Sequence, residues 1–476
     1  MKRTTAEQDL TAGSAHVTDD LSPAFIDTHC HIEMKEFDRD RDEVFARSGA
    51  AGIESLITIG SDLEGTLKGV ALAEQRDGIY CSVGIHPHDA KDFTADTYRH
   101  LKDLTRKAKV VAIGETGLDF HYDHSPRDVQ RRVFEQHLLL AGEAGLPVVI
   151  HCREAGSDTL QIVRDSGITN GVFHCFSGDR AMAEQVMALG FCISLAGPVT
   201  FRNAQGLHEL ARVVPDDYLL IETDAPYLTP EPFRGKRNEP AYLVYTAKKI
   251  AELRGVSLQD IARITTLNAK RLFRIGQLPD KGEIAYQIRN SLYLNITNRC
   301  TNRCSFCVKF HSDYVKGHRL RLGHEPTEEE LKDEIGDPSR YQEIVFCGYG
   351  EPLMRLETVK NVAQWIKSRH GRVRINTNGH ANLIHGRNII PELKGIVDSI
   401  SISLDAQDED TYNRICGPAF PDAFNAVLRF IRDVKETVPD VQITVVNMPG
   451  VDIAQCREIA EQLGVAFRVR ELDVVG

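Results

Sequence analysis

The sequence predicts an α/β protein in which a closed (β/α)8 barrel is followed by a partial (β/α)6 barrel. Three observations lead to this prediction. The chain has 476 residues, 42% of them apolar, and is therefore long enough to bury two large cores. Eight β-like runs alternate with helical patterns over about 250 residues, the usual length of a (β/α)8 barrel. Six further β-like runs, again alternating with helices, follow them.

The strands of the first barrel are predicted from short runs rich in β-branched and aromatic residues. Amphipathic stretches such as 130–144 separate these runs and are long enough to serve as parallel crossovers. A helical stretch over 239–273 closes this part of the chain. The eight runs begin at Phe25, Ser55, Ile79, Val110, Pro147, Val172, Phe191 and Leu219.

The second series of strands follows a stretch rich in Gly, Pro and charge, which predicts a linker over 276–285. Residues 1–24 are polar and show no hydrophobic period, so a mobile tail is expected there. The two barrels are accordingly expected over 25–275 and 286–476. The six runs of the second series begin at Ser291, Glu343, Val373, Val397, Val441 and Ala466.

Charge and composition exclude several classes of protein. With 57 Lys and Arg against 68 Asp and Glu, the net charge is −11, which argues against nucleic-acid binding by bulk electrostatic attraction but leaves room for a local basic groove. No window approaches the roughly 18 apolar residues of a membrane span, and the first 24 residues lack the apolar core of a signal peptide. A cytoplasmic protein without a membrane partner is therefore expected. Eleven cysteines in a long chain favour reduced thiols and metal ligation over a disulfide framework.

Histidines and carboxylates recur at the predicted strand ends of the first barrel. His29 and His31 are two residues apart on one strand, so both side chains leave on the same face. A single strand-end His or Asp is more often a hydrogen-bonded structural residue. Several such residues at equivalent strand ends indicate a shared site. The candidate ligands on strands one, four, five, six and eight are His29, His31, Glu115, His151, His174 and Asp224.

Mixed imidazole and carboxylate ligands suit Zn²⁺, Mn²⁺, Fe²⁺ or Mg²⁺. Glu115, expected at the end of strand four, could bridge two ions, and such a pair activates a bound water and clamps a phosphoryl centre. Asp224 is the natural acceptor for the proton of that water. Glu115 and Asp224 are therefore also the predicted catalytic residues, whereas Glu222 is expected to support a ligand rather than to be one.

The first barrel resembles the TatD family of metal-dependent deoxyribonucleases over about residues 25–275. This resemblance implies a TIM-barrel metallohydrolase of phosphodiesters with one or two divalent ions, Zn²⁺, Mn²⁺ or Mg²⁺, that acts on DNA as a 3′-to-5′ exonuclease. The same six residues would be its metal ligands, and His86 and Arg153 would contact substrate phosphate. The motifs that carry the resemblance are FIDTHCH (25–31), GIHPH (84–88), GETGLDFHY (114–122), HCRE (151–154), HCFSG (174–178), ETDAPYL (222–228), NEPAYL (238–243) and NAKRLF (268–273).

An amidohydrolase that cleaves C–N bonds of a small molecule is the alternative interpretation. Such enzymes share the His-x-His pair, the two later histidines and the final Asp. Their dinuclear members usually bridge the two metals through a modified Lys on strand four, where this sequence has Glu115. Glu115 at this position therefore favours hydrolysis of phosphoesters over hydrolysis of C–N bonds.

Cys300, Cys304 and Cys307 form a C-x3-C-x2-C pattern directly after a predicted strand. Three thiolates can hold three irons of a [4Fe–4S] cluster and leave the fourth iron open. Structural zinc is the rival, but it normally needs four protein ligands, and His311 could add only one. A redox sensor or scaffold that uses the cluster without catalysis is a further alternative.

The cysteine pattern and three later motifs resemble the radical S-adenosylmethionine (SAM) superfamily, and most of all the small radical SAM proteins associated with TatD nucleases. This resemblance implies a partial barrel in which the cluster cleaves SAM reductively, supplied with electrons by a donor such as flavodoxin or ferredoxin. The motifs are GYGEP (348–352), NTNG (376–379) and SLD (403–405). The implied SAM contacts are Gly348, Gly350, Glu351, Pro352, Asn378, Ser403 and Asp405.

Overall fold

The computed structural model describes residues 23–471, so almost all of the predicted tail over 1–24 lies outside the described residues. Within 23–471, no helix combines the length and the apolar character that crossing a bilayer requires. The described chain forms two large sheets, one after the other, each covered by helices.

The first sheet has eight parallel strands in sequence order, which confirms the predicted (β/α)8 architecture. The strands are β1 (Phe25–Cys30), β2 (Ile53–Thr58), β3 (Ile79–Val83), β4 (Val110–Asp119), β5 (Val148–Arg153), β6 (Gly171–Phe173), β7 (Cys192–Leu195) and β8 (Leu219–Ile221). The helices are α1 (Arg41–Ala50), α2 (Leu63–Gln75), α3 (Ala95–Leu104), α4 (Arg127–Ala144), α5 (Gly156–Ser166), α6 (Arg180–Ala188), α7 (Gln205–Val213), α8 (Leu243–Arg254) and α9 (Leu258–Phe273).

The barrel closes where β1 meets the chain that follows β8. The backbone N–H of Asp224 donates to the carbonyl of His29 at 2.8 Å, and that of His31 donates to the carbonyl of Ala225 at 2.7 Å. This closure places the His-x-His pair of β1 beside Asp224.

The helix α9 covers the opposite end of the barrel. Its Thr266 hydroxyl donates to the carbonyl of Ala24, just before β1, and its Asn268 amide donates to the carbonyl of Leu219 at the start of β8. The last turn of α9 packs on an apolar cluster inside the barrel that includes Ile57 and Val149. Helix α9 therefore seals the N-terminal ends of the strands, and the C-terminal ends are where (β/α)8 barrels carry their chemistry.

Strand β4 is longer than the sequence indicated. The expectation that Glu115 ends this strand is wrong, because β4 continues to Asp119 and is buried throughout. Its register against β5 shifts between Ile113 and Thr116, so Glu115 lies at an irregularity inside the strand. At Gly117 a Cβ would lie 2.0 Å from the carbonyl oxygen of His151, so only glycine allows β5 to approach this closely.

The second sheet has seven strands in the order β17-β16-β15-β14-β13-β10-β9. The six predicted strands are present and mutually parallel, and β9 adds an antiparallel strand beside β10 that the sequence did not predict. The strands are β9 (Ala285–Ile288), β10 (Ser291–Leu294), the hairpin β11 (Tyr314–Val315) and β12 (His318–Arg319), β13 (Glu343–Phe346), β14 (Val373–Thr377), β15 (Ser399–Ser403), β16 (Asp440–Asn447) and β17 (Ala466–Glu471). The helices are α10 (Glu328–Ile335), α11 (Leu356–Ser368), α12 (Ala381–His385), α13 (Glu409–Cys416), α14 (Ala423–Val434) and α15 (Ile453–Leu463).

The hairpin β11–β12 joins the two halves of the molecule. The Nζ of Lys316 lies 3.0 Å from the carboxylate of Asp216, in the turn before β8. The Arg263 side chain on α9 donates to the carbonyl of Lys316 at 2.9 Å, and the guanidinium of Arg271 lies 4.2 Å from the ring centroid of Tyr314. The contact is thus made at the end of the barrel that α9 seals.

Candidate active sites

All six predicted metal ligands meet at the C-terminal end of the first barrel, around the buried carboxylate of Glu115. Its oxygens lie 2.8 Å from His174 Nε2 and 2.9 Å from His151 Nδ1. The His29 Nε2 lies 3.5 Å from the same carboxylate and 3.3 Å from His31 Nε2. The second carboxylate, that of Asp224, lies 3.6 Å from His29 Nε2 and 3.4 Å from His31 Nε2.

The outward-facing nitrogens of three of these imidazoles are held by other groups, and that of His151 lies 3.2 Å from the carboxylate of Asp119. His31 Nδ1 lies 3.1 Å from the carbonyl oxygen of Ile59, and His174 Nδ1 lies 3.3 Å from the carboxylate of Glu222. An imidazole whose outer N–H is engaged in this way presents its inner nitrogen to a metal ion once that nitrogen has lost its proton. The inner nitrogens and the two carboxylates thus form overlapping groups of three ligand atoms, His29–Glu115–His174 and His29–His31–Asp224, a donor set that fits divalent cations.

The electrostatics of this cluster favour an ionised carboxylate at its centre. Burial alone would raise the pKa of Glu115, but the imidazoles around it, with His174 foremost, hold that pKa well below its ordinary value. Burial would also raise the pKa of Asp224, but the hydrogen bond to His31 and the charges of the nearby imidazoles together lower it. Both carboxylates are thus available as anionic ligands at neutral pH.

The two predicted phosphate contacts occupy different surroundings. The Nε2 of His86 lies 3.5 Å from Glu115, so this imidazole belongs to the same cluster and could serve as a further ligand. Arg153 is exposed at the end of β5, and its guanidinium carbon lies 4.8 Å from the ring centroid of Tyr122.

Asp119, at the end of β4, is a site residue that the sequence analysis did not single out. Its Oδ2 lies 3.2 Å from His151 Nε2 and 2.9 Å from His88 Nε2, and its Oδ1 accepts from the backbone N–H groups of His121 and Tyr122 at 3.0 Å each. Although burial opposes its charge, the hydrogen bond from His151 and that from the Tyr122 backbone hold the pKa of Asp119 well below its ordinary value. Its place in the motif GETGLDFHY was the available signal.

The three cysteines of the second half lie on one loop after β10. The backbone N–H of Cys307 donates to the carbonyl of Cys304 at 3.1 Å, and that of Asn302 donates to the Sγ of Cys300 at 3.4 Å. All three thiols are partly exposed. A set of three thiols on one accessible loop is the donor set that a [4Fe–4S] cluster with an open iron requires.

A fourth thiol, that of Cys416 at the end of α13, lies behind this loop. Hydrogen bonding to Cys304, together with burial, raises the pKa of Cys416 far above its ordinary value. The backbone N–H of Arg303 donates to the carbonyl of Cys416 at 2.9 Å. Cys416 is almost fully buried in the apolar core.

The glycines of the GYGEP motif allow this strand end to pack directly on the cysteine-bearing loop. A Cβ at Gly350 would lie 2.1 Å from the carbonyl oxygen of Arg299, and one at Gly348 would lie 2.2 Å from the side chain of Asn295. The motif therefore lies against the residues that lead into the first cysteine. Pro352, next in the motif, begins a short 3-10 helix and is buried.

The other implied SAM contacts lie at the C-terminal ends of the neighbouring strands. The buried carboxylate of Glu351 accepts from the backbone N–H of Asn378 at 2.7 Å, and burial raises the pKa of Glu351 to about 7. The Asn378 side chain lies 3.8 Å from the Sγ of Cys300. Ser403 ends β15, and the buried Asp405 accepts from the backbone of β16 at 3.0 Å.

Comparisons with known proteins match each half separately. The family model described as "TatD related DNase" matches residues 26–274, which is more than half of the chain. The chain belongs to the TatD related DNase family. The family model of the radical SAM superfamily matches residues 294–463, so the same chain also carries a radical SAM domain. Both resemblances noted from the sequence motifs are thereby confirmed.

Two curated relatives illustrate the match of the TatD half. The metal-dependent hydrolase YabD of Bacillus subtilis is 45% identical over 252 residues, which are 52% of this chain and 99% of the relative. The 3′-5′ ssDNA/RNA exonuclease TatD of Cronobacter sakazakii is 38% identical over 254 residues, which are 52% of this chain and 97% of the relative. The crystal structure of YJJV, a TatD homologue from Escherichia coli K12, is 30% identical and aligns with a TM-score of 0.52 over 54% of this chain and 100% of that chain. The TatD half is therefore a metal-dependent hydrolase of the TIM-barrel fold.

Proposed function

We propose that the TatD half hydrolyses phosphodiester bonds of single-stranded DNA from the 3′ end. The observation that carries this proposal is the convergence of inward-facing imidazole nitrogens on the carboxylates of Glu115 and Asp224. Relatives named 3′-5′ ssDNA/RNA exonuclease support the choice of substrate and polarity. Because the net charge is −11, the strand would be held by local contacts at the rim rather than by the overall field.

The proposed metal ligands are those predicted from the sequence: His29, His31, Glu115, His151, His174 and Asp224. A divalent ion bound there would supply Lewis-acid activation of water and of the phosphate. The residues of the chain supply the rest. Glu222 and Asp119 keep the outer N–H groups of His174 and His151 engaged. Asp224, the most exposed of the cluster carboxylates, would accept the proton of the attacking water.

The experiment is digestion of a 5′-labelled single-stranded oligonucleotide by protein loaded with Mg²⁺, Mn²⁺ or Zn²⁺, with and without chelator. The expected result is a ladder that shortens from the 3′ end and disappears in chelator. Glu115→Ala should abolish it, whereas Glu184→Ala, which removes an exposed carboxylate on α6, should not. If no metal gives chelator-sensitive cleavage, the proposed substrate class is wrong.

We further propose that Cys300, Cys304 and Cys307 hold a [4Fe–4S] cluster and that the second half cleaves SAM reductively. Such a cluster, when bound and reduced, would supply the electron that breaks the sulfonium bond. A small electron-transfer protein such as flavodoxin or ferredoxin would reduce it. The SAM contacts are assigned to the GYGEP motif, Asn378, Ser403 and Asp405, because these residues end β13, β14 and β15 on the side of the cysteine loop.

The test is anaerobic reconstitution with iron and sulfide, followed by dithionite and SAM. Cys304→Ala should lower the bound iron and abolish 5′-deoxyadenosine formation. Cys416→Ser is the matched control, since it changes the thiol that contacts Cys304 from the buried side. This control should keep both iron and activity. Loss of iron in Cys416→Ser would mean four protein thiolates and would refute an open iron.

Measuring both activities in the same variants tests whether the two sites work independently. Cys304→Ala should leave DNA hydrolysis intact, and Glu115→Ala should leave SAM cleavage intact. A folded variant that loses both activities would contradict the assignment of one site to each half.

A further inference from the structure

The rim of the TatD barrel beside the metal cluster carries an aromatic surface that the proposed hydrolysis does not use. Tyr122, in the loop after β4, is 50% exposed. Its ring lies parallel to that of His124, with centroids 5.6 Å apart and an interplanar angle of 5°. The guanidinium carbon of Arg153 lies 4.8 Å from the Tyr122 ring centroid. Aromatic rings and guanidinium planes of this kind are the groups on which unpaired bases stack.

This aromatic surface is fixed relative to the metal cluster by one carboxylate. Asp119 accepts from the backbone N–H of Tyr122 at 3.0 Å and contacts the cluster residue His151 at 3.2 Å. The ring of His88 lies between them, with its centroid 5.5 Å from that of Tyr122 and 6.5 Å from that of His151. The exposed aromatic surface is thus separated from the cluster residue His151 by one imidazole ring, that of His88.

The charges around Tyr122 favour stacking over phosphate binding. The guanidinium of Arg127 is paired with Asp123 at 2.9 Å, and the imidazole of His121 is paired with Glu154 at 2.6 Å. A phosphate would have to compete with these carboxylates, whereas an uncharged base would not. The guanidinium of Arg153 lies over the Tyr122 ring and can extend this stacking surface, while its role as a phosphate contact stays a prediction.

We propose that Tyr122, His124 and Arg153 form a stacking platform for an unpaired nucleobase of the strand whose phosphate lies at the metal cluster. The inference rests on the proposed function for the position of that phosphate. The platform would recognise the face of a base. In a base-paired duplex the base faces are covered by neighbouring bases, so a duplex does not bind to the platform. Stacking carries little sequence preference, because every base has such a face.

The experiment measures binding in chelator, where no hydrolysis occurs, with the full-length protein and fluorescein-labelled single strands. One strand is oligo-dT, and the other is an equally long strand whose 3′-terminal nucleotides lack bases. The wild type should bind oligo-dT more tightly. Tyr122→Ala should weaken oligo-dT binding about tenfold, within the range measured for loss of one stacked base, and leave abasic binding unchanged. Tyr122→Phe, which keeps the ring, should bind like the wild type.

Tyr98→Ala serves as the matched control, because Tyr98 lies on α3 and its hydroxyl contacts Glu143 outside the barrel. Equal binding of both strands by the wild type, or unaltered oligo-dT binding by Tyr122→Ala, would overturn the platform. Hydrolysis by the same preparations, with metal, reports separately on the proposed function. If the wild type binds oligo-dT more tightly than the abasic strand but cleaves neither strand, the stacking platform is supported and the proposed nuclease activity is refuted.

Discussion

Replacing Asp119 by Asn tests whether hydrogen bonding behind the imidazoles sets their metal affinity. In the native protein the Oδ2 of Asp119 faces the Nε2 atoms of His151 and His88 at 3.2 and 2.9 Å. Asn can keep the Oδ1 acceptor for the Tyr122 backbone, but it presents an NH₂ group where Oδ2 was. The His151 imidazole must then accept at Nε2 and carry its proton on Nδ1, the nitrogen that lies 2.9 Å from Glu115.

A proton on the inner nitrogen removes the lone pair that a metal would take. Loss of such an outer partner typically weakens metal affinity or activity by about 10- to 100-fold, which corresponds to about 1.4–2.7 kcal/mol. We therefore expect the Mn²⁺ dissociation constant of Asp119→Asn to rise by that factor. Isothermal titration of the metal-free protein measures this constant directly, without any assumption about substrate.

Asp123→Asn is the control for this experiment, since it makes the same chemical change in the same loop at an exposed carboxylate paired with Arg127. It should bind Mn²⁺ like the wild type. If Asp119→Asn also binds Mn²⁺ like the wild type while remaining folded, the tautomer argument fails. His151 would then not be a ligand, or Asp119 would not orient it.

Three further predictions concern other parts of the molecule. Gly350→Ala places a Cβ 2.1 Å from a backbone carbonyl of the loop that carries the cysteines, so the amount of iron bound after reconstitution should fall. Gly323→Ala is the control: its Cβ would have no atom within 4 Å, and the bound iron should stay at the wild-type level. The Nδ1 of the buried His137 donates to Val133, its Nε2 accepts from the backbone of Ile85, and burial lowers its pKa to about 4. The folded state therefore binds this proton less readily than the unfolded state, and stability should fall as pH drops from 6.5 toward 4, by about 2 kcal/mol at pH 5. Urea unfolding at pH 7.5 and pH 5 should show this loss, and His137→Gln should show a smaller one; equal losses would contradict the assignment. Finally, free Mn²⁺ at a hundredfold excess over its dissociation constant should stabilise the wild type by about 2.7 kcal/mol, and a melting temperature that does not respond to Mn²⁺ would argue against a specific site.

The sequence predicted those parts of the fold that depend on local periodicity. The spacing of His29 and His31 gave a common side-chain direction, and the recurrence of His and acidic residues after β-like runs gave a common end of the barrel. Both follow from the two-residue period of a strand and from the parallel order of the sheet. Neither requires knowledge of distant contacts.

The features that were missed depend on contacts between distant segments. Strand β4 runs past Glu115 to Asp119 because its register against β5 shifts, and that shift is decided by packing between strands. Strand β9 has only four residues and pairs with β10 across a turn without glycine, so it carries no strong local signal. The approach of Cys416 to Cys304 likewise results from where α13 packs, which the spacing of the cysteines does not encode.

The position of the connecting hairpin determines how the two candidate sites can be related. The cysteine loop continues into β11–β12, whose Lys316 and Tyr314 contact Asp216 and α9. These elements lie at the N-terminal ends of β1 and β8, whereas the histidine cluster lies at the C-terminal ends of the same strands. The second half is thus attached to the sealed end of the TatD barrel, and the packed barrel interior lies between that contact and the histidine cluster. The hairpin contact therefore fixes one half against the other without contributing a residue to the histidine cluster.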